Sequence, residues 1–132
     1  MDLVSVRIIT DNLDELVDFY EKVTGVTADR PAPVFAELHF PTGTLALGHT
    51  STAALFNNAA TPAQNKTVIL EWVVDDVDAE YPRLKTIVRQ WEQEPTVMPW
   101  GNRSILFRDP DGNLVNLFTP ATDEAIRRFR RQ

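Results

Sequence analysis

The sequence predicts an α+β domain of two βαβββ modules whose strands curve into a cup-shaped mixed sheet, and three observations carry that expectation. A strand-then-helix pattern occurs twice: with an offset of 64, Ser5-Val6-Arg7 falls on Ile69-Leu70-Glu71, Asp11-Asn12-Leu13-Asp14 on Asp75-Asp76-Val77-Asp78, and Tyr20 on Leu84. Each copy is followed by short apolar runs of strand length separated by turn residues. The last two runs are joined by Asp109-Pro110-Asp111-Gly112, a strong turn signal. Two such units leave strands around a hollow with helices outside.

Residues 3–10 alternate, with Val4, Val6 and Ile8 on one face and Ser5, Arg7 and Ile9 on the other, the pattern of a half-buried strand. Asp11 or Asn12 can then cap a helix carrying Leu13, Leu16, Val17 and Tyr20 at helical spacing, with Gly25 as its stop. Strands follow at 34–40 and 44–49 around Pro41-Thr42-Gly43. Residues 50–66, rich in Ala, Asn and Thr, are expected to be a linker anchored by Leu55 and Phe56. The second copy opens with TVILEWVV, and Asp75, Asp76 and Asp78 are cap candidates for a helix beginning around Val77 or Asp78. Pro82 is expected near its first turn, with a kink as the alternative. Strands near 94–98, 102–108 and 113–118 follow, and Thr122 can cap a closing helix. The expected layout is one domain over 1–132: a first module over about 1–58, the linker, a second module over about 67–120, and the helix over about 121–132.

The net charge of −6 disfavours nucleic acid as a partner, since phosphate binding needs clustered positive charge, and the one basic cluster is Arg127, Arg128, Arg130 and Arg131 at the end. Without cysteine there are no disulfides, thiolate metal sites or cysteine nucleophiles. The start, MDLVSVRIIT, has an acid at position 2 and an apolar run only of strand length, so neither a signal peptide nor a membrane span is expected, and the cytoplasm is the expected compartment.

The phrases ITDNLDELVDFYEKVTGV at 9–26, VVDDVDAEYPRLK at 73–85 and MPWGNRSILFRDPDGNLVNLF at 98–118 resemble the vicinal oxygen chelate superfamily: the glyoxalase, bleomycin-resistance and dihydroxybiphenyl-dioxygenase group. The resemblance implies that fold, and in metal-dependent members a site built from His or Glu side chains on four strands. It places those positions here at Ser5, Ala46, Ile69 and Asn116, none of them an imidazole or carboxylate. No cofactor is therefore expected. A divalent metal remains the alternative, through His39 and His49 with Glu37 or Glu71.

Facing assigned from those positions lines the cup with Ser5, Arg7, Ile69, Glu71, Leu114, Asn116 and Phe118. Arg7 and Glu71 are repeat mates, open to either an ion pair or ligand binding. Trp72 has the parity for packing between sheet and helix. Trp100, with Arg103, is placed at the rim, as a ligand-stacking or a core-capping ring. The expected function is sequestration of a small amphipathic organic ligand by a metal-free homodimer similar to bleomycin-resistance-type proteins. The alternative is an enzyme of the superfamily (glyoxalase, lyase, isomerase or dioxygenase) with a nonstandard metal site or with Glu71 as base.

Overall fold

The computed structural model describes residues 1–130. Its elements run β1 (Ser5–Thr10), α1 (Leu13–Thr24), β2 (Asp29–Ala32), β3 (Phe35–Phe40), β4 (Gly43–His49), a 3-10 helix (Thr50–Phe56), β5 (Ile69–Val73), α2 (Val77–Leu84), β6 (Gln90–Val97), β7 (Asn102–Arg108), β8 (Leu114–Pro120) and α3 (Asp123–Arg130). Two compact units result: Met1–Asn65 with Pro110–Gly112, and Lys66–Asp109 with the chain from Asn113 onward.

The first unit holds a four-stranded sheet in the order β1-β4-β3-β2, in which β1 runs parallel to β4 and the other pairs are antiparallel. Its helix α1 forms because Leu13, Leu16, Val17, Tyr20 and Val23 make one apolar stripe, all buried. Gly25 ends α1 as the spacing predicts, at φ 74°, donating its N–H to the Glu21 carbonyl at 2.8 Å. Asn12 occupies the cap position but makes no side-chain cap bond. Instead Thr10 Oγ1 accepts from the Asn12 N–H at 3.1 Å. Ala36, Leu38, Leu45 and Leu47 supply the sheet's share of the core.

The second unit repeats the plan as β5-β8-β7-β6, with β5 parallel to β8. Asp76 caps α2, its Oδ1 accepting from the N–H groups of Asp78 at 3.0 Å and Ala79 at 3.4 Å. Pro82 lies in the second turn rather than the first. It therefore removes the bond its N–H would give to the Asp78 carbonyl, and α2 ends two residues later. Val77, Leu84, Ile105, Phe107, Val115 and Leu117 are the core, and the Trp91 ring stands edge-on to Phe107 at 5.4 Å.

Two elements escape the sequence reading. Strand β2, Asp-Arg-Pro-Ala, shows no alternation, and the expected linker begins with the 3-10 helix. The anchors of that helix are Thr52 and Ala53, at 8% and 6% exposure. Leu55 and Phe56 stand at 83% and 49%, so the expectation that they fix the segment to the core is corrected. At the other end Thr122 caps α3 as expected, Oγ1 accepting from the Ala125 N–H at 3.1 Å. Arg131 of the expected basic cluster lies outside the described residues. Thr122→Ala is expected to lower stability by about 1 kcal/mol, read as a shifted urea midpoint at unchanged slope.

Candidate functional site

In each unit one face of the sheet carries the apolar core under the helix, and the other carries polar and aromatic side chains. In the first unit the register puts Ser5 beside Thr44, Arg7 beside Ala46, Glu37 beside Ala46 and His39 beside Thr44, so all of these share the second face. The Arg7 guanidinium lies over the Phe35 ring at 4.4 Å and near the Phe56 ring at 5.2 Å, an aromatic bracket that holds a charge without neutralising it. His39 Nδ1 is 3.1 Å from Thr44 Oγ1, and its Nε2 is 3.2 Å from Asp29 Oδ2.

His49 does not join His39. It is five register steps further along β4, on the order of 17 Å, and on the opposite face, where Nδ1 accepts from the Ser51 N–H at 3.1 Å at the start of the 3-10 helix. The two-histidine metal site considered from the sequence is thus not assembled.

In the second unit the register brings Ile69, Glu71, Leu114, Asn116 and Phe118 to one face, away from α2. Glu71 and Asn116 are directly paired, and Asn116 Nδ2 donates to Glu71 Oε2 at 2.7 Å. The hairpin register continues the row: Asn116 lies beside Leu106, which lies beside Gln93, while Ser104 lies beside Phe118. Phe118 in turn meets the Phe129 ring of α3 edge-on at 6.2 Å. Trp72 has the opposite parity, the helix side, as expected.

Arg103 is a correction. It has the parity opposite to Ser104 and turns to the α2 side, where Nε and Nη2 donate to Asp78 Oδ2 and Oδ1 at 2.8 and 3.0 Å. It therefore does not line the face that carries Glu71 and Asn116. That hydrogen bond, aided by the guanidinium charge against a smaller opposing effect of burial, holds the Asp78 carboxyl below its ordinary 3.8. A depressed carboxyl contributes stability that is complete above its ordinary value, 3.8, and is lost as pH falls below that toward the lowered one. Arg103→Gln is expected to move the Asp78 titration, followed by carboxyl-carbon NMR, back upward. Trp100, at 52% exposure in the β6–β7 turn, does not cap a core, and its carbonyl accepts from Arg128.

Sequence reasoning missed Ser104, Gln93 and Leu106. Ser104 Oγ, Asn116 Oδ1 and Gln93 Oε1 are buried with no hydrogen-bond partner among the described residues, with Ser104 at 1% and Asn116 at 7% exposure. Each such atom costs about 1–3 kcal/mol unless something satisfies it. The signal that finds them is the turn. Once Asp109 and Asn113 close the hairpin, the partners of Asn116 and Phe118 are fixed as Leu106 and Ser104. An acidic cleft of about 520 Å³ lies at the start of α1, walled by Asp11, Asp14, Glu15 and His49 among others.

Comparison with known families fits this architecture, since the model of the Glyoxalase/Bleomycin resistance protein/Dioxygenase superfamily matches residues 2–117. The chain belongs to this superfamily. A family enzyme from Burkholderia phytofirmans PsJN superposes with a TM-score of 0.80 at 19% identity, covering 91% of this chain and 99% of that one. A glyoxalase/bleomycin resistance protein/dioxygenase from Nocardioides gives 0.76 at 23%, with 93% and 85% covered. A lactoylglutathione lyase from Agrobacterium tumefaciens gives 0.66 at 20%, with 89% and 92% covered. These likenesses speak for the fold. None of the curated proteins matches the chain.

The superfamily's metal positions can now be tested against their surroundings. Ser5 offers an exposed hydroxyl, Ala46 a buried methyl and Ile69 a half-exposed alkyl chain, while Asn116 has its amide N–H committed to Glu71. No three His, Asp or Glu groups among the described residues are arranged to hold an ion. These residues do not fit the divalent metal of the metal-dependent members. No helix among the described residues is long and apolar enough to cross a membrane.

Proposed function

We propose that this chain is a small-molecule-binding member of the superfamily that works without a bound metal, similar to bleomycin-resistance-type proteins in holding an amphipathic organic ligand unchanged. The observation that carries the reading is the donor set: alkyl groups, a hydroxyl and a neutral amide stand where metal chemistry needs charged or basic ligands. In their place the second unit offers polar groups in an apolar frame of Ile69, Leu106, Leu114 and Phe118.

The test is a thermal-shift screen of chelator-treated protein against nickel, zinc, manganese, iron(II) and cobalt, with elemental analysis of untreated protein. No specific shift and no stoichiometric metal are expected. One ion near one equivalent, stabilising by about 2.7 kcal/mol at a hundredfold excess over its Kd, would overturn the proposal and favour an enzyme. Turnover of a substrate by metal-free protein, abolished in Glu71→Gln, would favour the enzyme with Glu71 as base.

We also propose a homodimer as the working state. The edge strands β1 and β5, with Val4 just before β1, leave Val4, Val6, Ile69 and Val73 at 66%, 40%, 47% and 44% exposure, apolar surface along strand edges that a second copy can cover. Light scattering at micromolar concentration is expected to give twice the monomer mass. A monomer would refute this assembly.

A further inference from the structure

We infer that the face of the second unit recognises a cationic ligand rich in N–H groups, an amidinium, guanidinium or polyamine joined to an apolar body; this rests on the reading of the chain as a small-molecule binder. The row Glu71, Asn116, Leu106, Gln93 crosses the sheet in register from β5 to β6. Every group in it that is without a partner is an acceptor: Asn116 Oδ1 and Gln93 Oε1 are amide oxygens, and diagonal to Asn116 lies Ser104 Oγ, which accepts as readily as it donates.

Asn116 gives one of its two amide N–H groups to Glu71 Oε2, which aims its oxygen away from the carboxylate. The ionised carboxylate is itself acceptor-only and supplies one negative charge at the end of the row. A ligand that satisfies this set must therefore bring hydrogens and, beside Glu71, positive charge. An anionic or acceptor-rich ligand would leave the buried oxygens unpaired and face a carboxylate. The chain's net charge of −6 acts in the same direction at long range.

A bare metal ion suits the set less well. Calcium needs its oxygens within about 2.6 Å, whereas Asn116 and Gln93 sit two strands apart, about 10 Å between backbones, with Leu106 between them. An organic cation with several N–H groups can meet acceptors separated in this way, and Ile69, Leu106, Leu114 and Phe118 can cover its apolar part. Solvent reaches none of the three oxygens, so entry has to displace a neighbour. Phe129 of α3, edge-on to Phe118, which lies beside Ser104, is placed to move.

The experiment is calorimetric titration of the full chain with benzamidine, benzamide and benzoate, probes of one ring size and three charge states, with calcium as a fourth. Benzamidine is expected to bind at least tenfold more tightly than benzoate. Glu71→Gln should lower benzamidine affinity by about 10- to 100-fold, and Ser104→Ala and Asn116→Leu by about tenfold or less, at melting temperatures equal to or above wild type. Benzoate binding as well as benzamidine would overturn the inference while leaving the binding-protein reading intact. Calcium held through Glu71, or no binding by any ring probe, would also overturn it. A stoichiometric transition metal in the separate screen is the result that removes the underlying reading.

Discussion

Gly101→Ala is expected to destabilise the protein by about 2–4 kcal/mol, with α3 released from the β6–β7 turn. Two effects add. Gly101 has φ 95°, where a residue with a side chain is strained. A Cβ there would collide with Thr122 Oγ1 and stand 3.0 Å from Ala125 Cβ, inside contact distance of the helix start. Thr122 cannot retreat without cost, because its hydroxyl caps α3 and Ala125 is buried at 1% exposure. Gly101 is itself fixed from both sides, donating to the Met98 carbonyl at 2.8 Å and accepting from the Ala121 N–H at 2.9 Å.

Gly25→Ala is the matching control. Gly25 also has positive φ, 74°, but nothing lies within 4 Å of a Cβ there, so only the backbone term remains, about 1 kcal/mol. Urea unfolding of the two variants separates the contributions. Equal losses would mean that α3 does not press on Gly101.

The repeat that made the fold legible is local: strand alternation, the α1 stripe and the Asp-Pro-Asp-Gly turn are written in neighbouring residues. Pairing between distant strands is not. The parallel match of β5 with β8 is what sets Glu71 against Asn116 at 2.7 Å, and nothing within either segment announces it. Strand β2 was hidden because Asp29, Arg30 and Pro31 have poor strand character and are held by pairing with β3. The 3-10 helix was hidden because its short Ala-rich stretch buries only Thr52 and Ala53.

The polar face was half legible for the same reason. The ligand positions implied by the superfamily resemblance, carried along β5 and β8 by alternation, put Glu71, Asn116 and Phe118 on one side. On β7, however, parity depends on how the hairpin closes, and the sequence reading named Arg103 at the rim and not its neighbour Ser104. One register step exchanged a paired guanidinium on the helix side for a buried hydroxyl without a partner among the described residues.

That closing pair is the second site of large effect. Asp109→Ala is expected to cost about 2–4 kcal/mol, because Asp109 is at 4% exposure and its carboxylate does two jobs. Oδ1 accepts from the Asn113 N–H at 2.9 Å and Oδ2 from Asn113 Nδ2 at 2.8 Å, while the Asp109 N–H returns a bond to the Asn113 carbonyl at 3.0 Å. Alanine strands two buried donors of Asn113, itself at 5% exposure, where water does not replace the lost acceptor. Asp109→Asn keeps one amide oxygen and is expected to lose about half as much. Because this pair sets the β7–β8 register, the alanine variant should also blunt benzamidine binding through a displaced Ser104, and proton–nitrogen NMR should show shifts running from Asn113 toward Ser104 and Asn116. A loss of stability confined to the turn, with those distant amides unmoved, would mean that the register is held by the strands themselves.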